Sequence, residues 1–340
     1  MKIIVDAKGG DNAPEMIVRG AAAAAASDGV EVVLTGDGEE LLRCLEKLGY
    51  ADLPRGLEIA NATEVIGMED DPATAVRDKK DSSMAVGLRM LADGQGDAFV
   101  SAGSTGALLS GATLIVKRVR GIRRAAVAPF IPRSSGGFVL IDGGANVECT
   151  VQYLLQFAYM GSYYAETVRG IRNPRVGLLN NGAEDTKGTP LLRSAFQALR
   201  TAGERGGILF VGNVEAKDVF ADSCDVLVCD GFSGNVLLKA IEGTAGFILR
   251  ELRDVFMGGA MSKLSGQLVR RRITELKSRF DPDLVGGTAL LGISKPVVKA
   301  HGSSNDIAIR NAIGQACAAV KADITKKLMA NIALMGEEQP

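Results

Sequence analysis

The sequence holds a single histidine, His301, and no tryptophan in 340 residues. A zinc centre built on several histidines is therefore excluded, and any Ser-His-Asp arrangement would have to be centred on that one imidazole. Proline is scarce, at 10 residues, which excludes collagen-like and proline-rich disordered chains. Neither sign of charge dominates, with 39 basic residues against 40 acidic ones, and aromatics make up only 5%. Both the basic face and the stacking platforms of a nucleic-acid binder are missing. The five cysteines, Cys44, Cys149, Cys224, Cys229 and Cys317, are odd in number and form no C-x-x-C pair. They fit buried, reduced thiols of a cytosolic protein. No apolar run approaches the roughly 18 residues of a spanning helix, and charge at Lys2 and Asp6 comes too early for a signal peptide. The expected location is the cytoplasm.

What the chain has in excess is glycine, 42 residues, about 12% where about 7% is usual. Short runs of Val, Ile and Leu alternate with helical patterns from end to end, the signature of βαβ units and a mostly parallel sheet in an α/β fold. Strands are expected at Ile3 to Ala7, Glu31 to Thr35, Ala98 to Ser101, Ala125 to Phe130, Phe138 to Asp142, Val176 to Asn180, Ile208 to Val211 and Val226 to Cys229. The alanine run from Ala21 to Ala26 reads as one tightly packed helix. No linker or charge block divides the chain, so residues 1–340 are expected to form one domain.

Nearly every expected strand ends in a glycine turn followed by a helix. The turns are Asp6-Ala7-Lys8-Gly9-Gly10-Asp11, Ser101-Ala102-Gly103-Ser104-Thr105-Gly106, Asp142-Gly143-Gly144-Ala145-Asn146, Asn180-Asn181-Gly182, Gly212-Asn213-Val214-Glu215 and Asp230-Gly231-Phe232-Ser233-Gly234-Asn235. In an open parallel sheet such turns gather along the carboxyl edge, where ligands bind. Glycine admits a ligand close to backbone N–H groups, and the helix behind each turn offers partial positive charge, a combination that favours phosphate. The Ser101 to Gly106 turn is the best single candidate, although Ser104 or Thr105 could equally serve as a helix cap. Gly36-Asp37-Gly38 opens a dinucleotide fingerprint that Leu41 breaks at the third glycine, and no Walker A loop occurs. Asp218, Asp222 and Asp225 could hold Mg²⁺ but read more simply as a solvated face and a strand entry. Ala300-His301-Gly302-Ser303-Ser304-Asn305 sets the lone histidine beside hydroxyl donors at the mouth of the last helix.

One segment differs in pattern. From residue 248 to 280, Leu249, Leu252, Phe256, Met261, Leu264, Leu268, Ile273, Leu276 and Phe280 recur at three- and four-residue spacing, with Lys263, Arg270, Arg271, Arg272, Lys277 and Arg279 between them. Two amphipathic helices broken at Gly258-Gly259 fit this pattern. They could pack on the core or a second subunit, or form a tip touching an anionic membrane or a negatively charged carrier.

Taken in order, the glycine turns together with Gln156-Phe157-Ala158, Lys187-Gly188 and Ala300-His301-Gly302-Ser303-Ser304 resemble the bacterial phosphate acyltransferase (PlsX) family, the acyl-carrier-protein:phosphate transacylases of phospholipid synthesis. The likeness runs from residue 1 to about residue 320. Ser104 stands where Asn is common in the family, and Asn12 where His is frequent.

The resemblance implies a three-layer α/β/α sandwich like isocitrate and isopropylmalate dehydrogenases, a homodimer, and a reaction with neither cofactor nor metal. It also implies inorganic phosphate and acyl carrier protein as partners, with an anionic membrane and a downstream glycerol-3-phosphate acyltransferase as further ones, giving a cytoplasmic protein that touches the membrane peripherally. In that reaction phosphate is a ready-made nucleophile, and the chain must hold it against the thioester carbon and stabilise the oxyanion. Gly103, Ser104, Thr105 and Gly106 are expected to bind phosphate, with Ser303 and Ser304 as a second cradle and Asp6, Gly9, Gly10 and Asn146 from the neighbouring turns. Lys187 would bring positive charge, Asn213 and Asn235 oxyanion donors, and His301 a donor or a phosphate ligand. Three rivals remain: a coenzyme A-dependent phosphate acyltransferase, an NAD- and metal-dependent dehydrogenase of the same fold, and a non-enzymatic membrane scaffold.

Overall fold

The computed structural model describes residues 1–134, 136–257, 271–272 and 286–336. Its strands, in chain order, are β1 (Lys2–Asp6), β2 (Glu31–Gly36), β3 (Leu57–Asn61), β4 (Ala98–Ser101), β5 (Ala126–Ala128), β6 (Phe130–Pro132), β7 (Gly137–Ile141), β8 (Arg175–Asn180), β9 (Leu209–Glu215), β10 (Val226–Val228), β11 (Thr288–Leu291) and β12 (Val297–Lys299). The helices are α1 (Glu15–Asp28), α2 (Gly38–Lys47), α3 (Ala75–Asp78), α4 (Ser83–Ala92), α5 (Thr105–Gly111), α6 (Val151–Thr167), α7 (Pro190–Glu204), α8 (Gly231–Met257), α9 (Asp306–Ala322) and α10 (Ile324–Ala330).

The α/β class and the largely parallel pairing are as expected, but the strands divide between two sheets. One runs in the order β3-β2-β1-β4-β12-β11-β5, the other β6-β7-β10-β8-β9. In the first sheet β11 runs antiparallel to both its neighbours, β12 and β5, and in the second β6 runs antiparallel to β7. Pro129 makes the division. The run from Ala125 to Phe130 reads as one strand, yet a proline lacks the N–H a continuous ladder needs. The structure uses it as a corner, with β5 pairing in the first sheet and β6 in the second.

Both sheets are covered on both faces, which is why their strands are continuous apolar runs instead of alternating ones. In β1, Ile3 and Val5 enter one cluster with α1 and α9, while Ile4 enters another with Met84, Leu88 and Phe99. In β7, Val139 and Ile141 face α6 and α7, while Phe138 and Leu140 face Leu237, Leu238 and Ile241 of α8. Each fully buried Phe or Leu of these layers stabilises the fold by about 1.5–3 kcal/mol. Ala126, Ala128, Ala289 and Leu291 of the first sheet join Val139 and Ile141 of the second in a single cluster, so the sheets share apolar core. The alanine run does form a helix, and its neighbour Gly20 explains the tight packing. A Cβ there would lie 2.5 Å from the Asp306 carbonyl oxygen of α9.

Register sets the site. Lys299 pairs with Ser101 and Val5 with Val100, so β1, β4 and β12 end side by side. In the second sheet Val228 pairs with Ile141 and with Leu178, which aligns the ends of β7, β10 and β8. Of the amphipathic segment 248–280, residues 248–257 continue α8, where Leu249, Leu252 and Phe256 are half-buried while Ile248 and Val255 are exposed. The expected break at Gly258-Gly259 and the remainder, Arg271 and Arg272 apart, lie outside the described residues. Among the described residues no helix is long and apolar enough to cross a membrane.

Candidate active site

At the edge of the first sheet the organising group is Asp6, which is buried. Its carboxylate accepts from Ser83 Oγ at 2.5 Å, Ser101 Oγ at 2.7 Å and the Lys8 N–H at 3.2 Å. Burial pushes its pKa up, while the two hydroxyls and the N–H groups of Lys8 and Gly9 pull it down, and burial prevails. Ser101 Oγ accepts in turn from the Gly103 N–H at 3.0 Å. The turns from β1 and β4 are pressed together: a Cβ on Gly9 would lie 2.5 Å from Asp6 Oδ2 and 2.7 Å from the Gly103 nitrogen. Gly10, at φ +102°, lies equally close to Gly302 O and Ala102 Cβ. Asp6 thus sits beneath the glycine turns and fixes their shape, while Gly9, Gly10 and Gly103 form the close-packed backbone above it.

The turn after β12 closes this cluster. The Asp11 N–H donates to Gly302 O at 2.8 Å, and the Asn12 amide donates to the carbonyls of Ser303 and Ser304 at 3.0 and 3.3 Å. Ser304 is buried, and among the described residues its Oγ has no hydrogen-bond partner. Ser104 is also buried and caps α5 at a long 3.5 Å from the Ala107 N–H, which leaves its hydroxyl weakly committed. Thr105 is exposed, and Gly106 packs on Pro72. His301 is exposed, and its Nδ1 accepts from the Ser303 N–H at 3.3 Å and lies 2.9 Å from Ser303 Oγ. A backbone N–H can only donate, so Nδ1 is the acceptor in that contact.

Sequence reading passed over the most unusual group here, Lys299. Its ammonium is buried at the end of β12, where it donates to Ala102 O at 3.2 Å and to Ala300 O. Among the described residues no carboxylate lies within ion-pair distance. Burial lowers its pKa to about 8; the charges of Asp6 and Asp11 oppose that shift, and the positive charge of Lys239 on α8 adds to it. A buried cation with no ion-pair partner among the described residues, set against glycine turns, makes Lys299 a candidate site residue.

At the edge of the second sheet Asp142 has the corresponding role. Fully buried, it accepts from the N–H groups of Val127, Gly144, Ala145 and Asn146 and from the Asn146 amide. The same amide also donates to Ala125 O at 2.8 Å. Asn146 is therefore a brace inside its loop. Helix α8 enters against this loop through two glycines. A Cβ on Gly231 would lie 2.7 Å from Asn146 N and O, and one on Gly234 would lie 1.9 Å from Asp142 O. Asn235 follows, exposed, with its amide beside Gly144 and, among the described residues, no partner. Lys239 is one turn further along α8 and acts electrostatically on Lys299, so this helix spans from one group of turns to the other.

Lys187 and Asn213 form a third group. The Asn213 amide donates to Glu184 O at 2.9 Å, and the Asn180 amide donates to Lys187 O at 3.3 Å, fastening the 184–188 loop at both ends. The Asn213 Oδ1 is buried without a partner among the described residues. Lys187 itself is exposed, with its Nζ 4.0 Å from Glu184, which leaves the ammonium free to turn toward a ligand. Asp222 and Asp225, weighed as metal ligands, are engaged by arginines instead. Arg175 binds both, at 2.8 and 2.9 Å, and buried Arg133 lies 2.9 Å from Asp222.

Comparison with known proteins bears on what these turns serve. A family described as "Fatty acid synthesis protein" matches residues 1–327. The phosphate acyltransferase of Lactococcus lactis subsp. lactis is 43% identical over 333 residues, 97% of this chain and 98% of that protein. Among solved structures, a phosphotransacetylase from Streptococcus pyogenes superposes with TM-score 0.64 at 20% identity, covering 95% of this chain and 94% of that one. A protein assigned as 4-hydroxythreonine-4-phosphate dehydrogenase from Salmonella typhimurium superposes with TM-score 0.52 at 15% identity, covering 96% and 99%. The two structural likenesses concern the fold alone, and join it to the dehydrogenase-like architecture expected above.

Proposed function

The chain belongs to the phosphate acyltransferase family, and from that premise we propose that its turns hold inorganic phosphate against an acyl thioester carried by acyl carrier protein. A phosphate oxygen attacks the thioester carbon, the carbonyl oxygen becomes an oxyanion, and collapse of the tetrahedral intermediate forms the acyl phosphate and expels a thiolate. With a thiol pKa near 8.5, that leaving group needs little acid assistance. No covalent enzyme intermediate is required, which suits a chain with one histidine.

The observation that carries this reading is the pairing of an undercompensated buried ammonium, Lys299, with an unpartnered buried hydroxyl, Ser304, at the glycine turns. A dianion supplies what both lack. Phosphate is held by the backbone of Gly103 to Gly106, the hydroxyls of Ser104 and Ser304, and the charge of Lys299, with Ser303 and His301 Nε2 at the open side. Asn235, whose amide is uncommitted, is the better oxyanion donor. Asn213 shapes the loop that presents Lys187, and Lys187 brings charge to the transition state. Asp6 and Asn146 act one layer below, by holding the turns.

The wider reading is a single domain, homodimeric and cytoplasmic, with its 248–280 segment touching an anionic membrane and handing acyl phosphate to a glycerol-3-phosphate acyltransferase. The shared apolar cluster of the two sheets supports the first point, and the exposed Phe247, Ile248 and Val255 of α8 support a covered or membrane-facing tip. The deciding experiment incubates the protein with phosphate and either acyl-carrier-protein or acyl-CoA, following thiol release and acyl phosphate. Turnover with the carrier thioester supports the reading; turnover with acyl-CoA alone moves the donor to coenzyme A. Activity only with NAD⁺ and Mg²⁺ overturns it.

A further inference from the structure

In a chain of net charge −1, no aspartate or glutamate occurs between Asp97 and Asp142, yet Lys117, Arg118, Arg120, Arg123 and Arg124 fall within eight residues of that stretch. All five are exposed. Among the described residues none of them forms an ion pair, which sets them apart from Arg133 and Arg175. Exposed cations normally alternate with anions, because like charges held close repel. Five together, unrelieved, make a strongly positive surface suited to an anionic partner.

The turn that carries them is built rigidly. The side chain of Gln156, buried in α6, accepts from the Arg123 N–H at 2.8 Å and donates to Gly121 O at 2.9 Å. Ser294 and Val119 N–H groups bond across to Lys117 O and Gly292 O. Gly121 adopts φ +95° against Ile332, where a Cβ would meet the isoleucine at 2.4 Å. Arg118 closes the turn on Arg123 O, and Arg124 lies 5.7 Å over the Tyr153 ring. The result is a shallow, wide-open surface lined by Arg118, Gly121, Ile122, Arg123, Arg124 and Tyr153. Its position is telling: Ala125, the next residue, accepts the Asn146 amide of the candidate active site.

We propose that the Lys117–Arg124 turn is the docking surface for the acidic carrier protein that delivers the acyl thioester. This rests on the acyl-transfer reading above. A carrier that presents its acyl group on a flexible arm must be held beside the reaction site, and steering by opposite charge raises the encounter rate. The turn adjoins the residue that accepts the Asn146 amide, so a carrier held on it stands beside the reaction site, and Tyr153 adds an aromatic face among the cations. Gln156, which the sequence singles out without a role, preorganises the surface.

The test replaces Arg120 and Arg123 by glutamate, with the double glutamine variant as the milder form. Binding of fluorescently labelled acyl carrier protein is followed by anisotropy at low and moderate salt, which needs no turnover. The glutamate pair is expected to weaken binding at least about tenfold and to abolish its salt dependence, with the glutamine pair intermediate. In kinetics the KM for the carrier thioester rises by a similar factor, while kcat and the KM for phosphate hold. Unchanged carrier binding overturns the proposal, as does loss of dimeric mass in light scattering or loss of binding to anionic vesicles with carrier binding intact. A wild-type protein that binds carrier through this turn but forms no acyl phosphate would overturn the acyl-transfer reading and leave the docking surface standing.

Discussion

The Lys299 ammonium donates to the carbonyl of Ala102 at 3.2 Å, so the end of β12 holds the Ser101–Gly106 turn, the turn proposed to bind phosphate. Two functions meet in that contact. Lys299 fixes the position of the turn, and it places a positive charge beneath it that the fold does not neutralise.

Replacing Lys299 by methionine separates the two functions. The variant should lose about 10²-fold in kcat/KM for phosphate, the usual cost of removing one charged donor, with thermal stability equal to or above wild type because a buried cation has gone. In the wild type, kcat/KM for phosphate should fall as pH rises through about 8, where Lys299 loses its proton, and this limb should be missing from the variant. The stability sign is opposite. Burial lowers the folded pKa below the unfolded 10.5, so between about 8 and 10.5 the unfolded chain binds more protons and wild-type stability rises with pH. A phosphate profile flat across pH 7 to 9.5 would remove Lys299 from phosphate binding.

Lys187→Ala tests a different side chain by a different signature. Exposed and 4.0 Å from Glu184, Lys187 contributes little to stability. Turnover should drop by roughly 10² or more, with the melting temperature and the KM for phosphate close to wild type. Near wild-type kcat in the folded variant would show that charge in the transition state comes from elsewhere.

Gly234→Ala probes the entry of α8. Its Cβ would stand 1.9 Å from Asp142 O and 2.8 Å from Cys229 Sγ, and the nearer of these is backbone that cannot rotate away. Thermal or urea denaturation should register a loss of about 3 kcal/mol, with activity falling because Asn235 shifts along with the helix. A stability within about 0.5 kcal/mol of wild type would mean the helix retreats without cost.

Asp225→Ala removes a partner of Arg175 and leaves buried Arg133 leaning on Asp222 alone. Chemical denaturation should show a loss of about 3 kcal/mol, with kcat nearly unchanged because this network lies away from the turns. Burial pushes the Asp225 carboxyl up, but its hydrogen bonds and charge pairing with Arg175 outweigh that and hold it below 3.8. Its contribution is therefore complete above the unfolded pKa and is lost as pH falls through the folded value, so wild type and variant should converge only in strong acid.

Much of the fold is legible in the chain because buried parallel strands are apolar runs. Ala98–Ser101 is read to the residue, and β1, β7, β8 and β10 to within one. β3 is missed because Leu57-Glu58-Ile59-Ala60-Asn61 is a mixed edge strand, and β11 and β12 because each is short and set among glycines and prolines. Pro129 was the available signal for the second sheet. For the site, glycine turns at strand ends locate the edge, since both the conformation and the close approach demand glycine at Gly10 and Gly144. Which side chains face a ligand is a matter of packing. Asn146 and Asp6 are expected as ligands from the sequence, and in the fold their side chains also bond the loops around them, whereas Lys299 looks like the end of a strand and is a buried cation. Its one clue is a charge closing the run Val297-Val298-Lys299.

The Val127 N–H and the Ala125 carbonyl, both on or beside β5 of the first sheet, bond to Asp142 and Asn146 at the end of β7 in the second. Parting this seam would take the Val127 donor from a fully buried carboxylate and leave the Ala125 carbonyl without the Asn146 amide. The two sheets are therefore fastened at that point, and a movement of one against the other has to break these two bonds or turn about them.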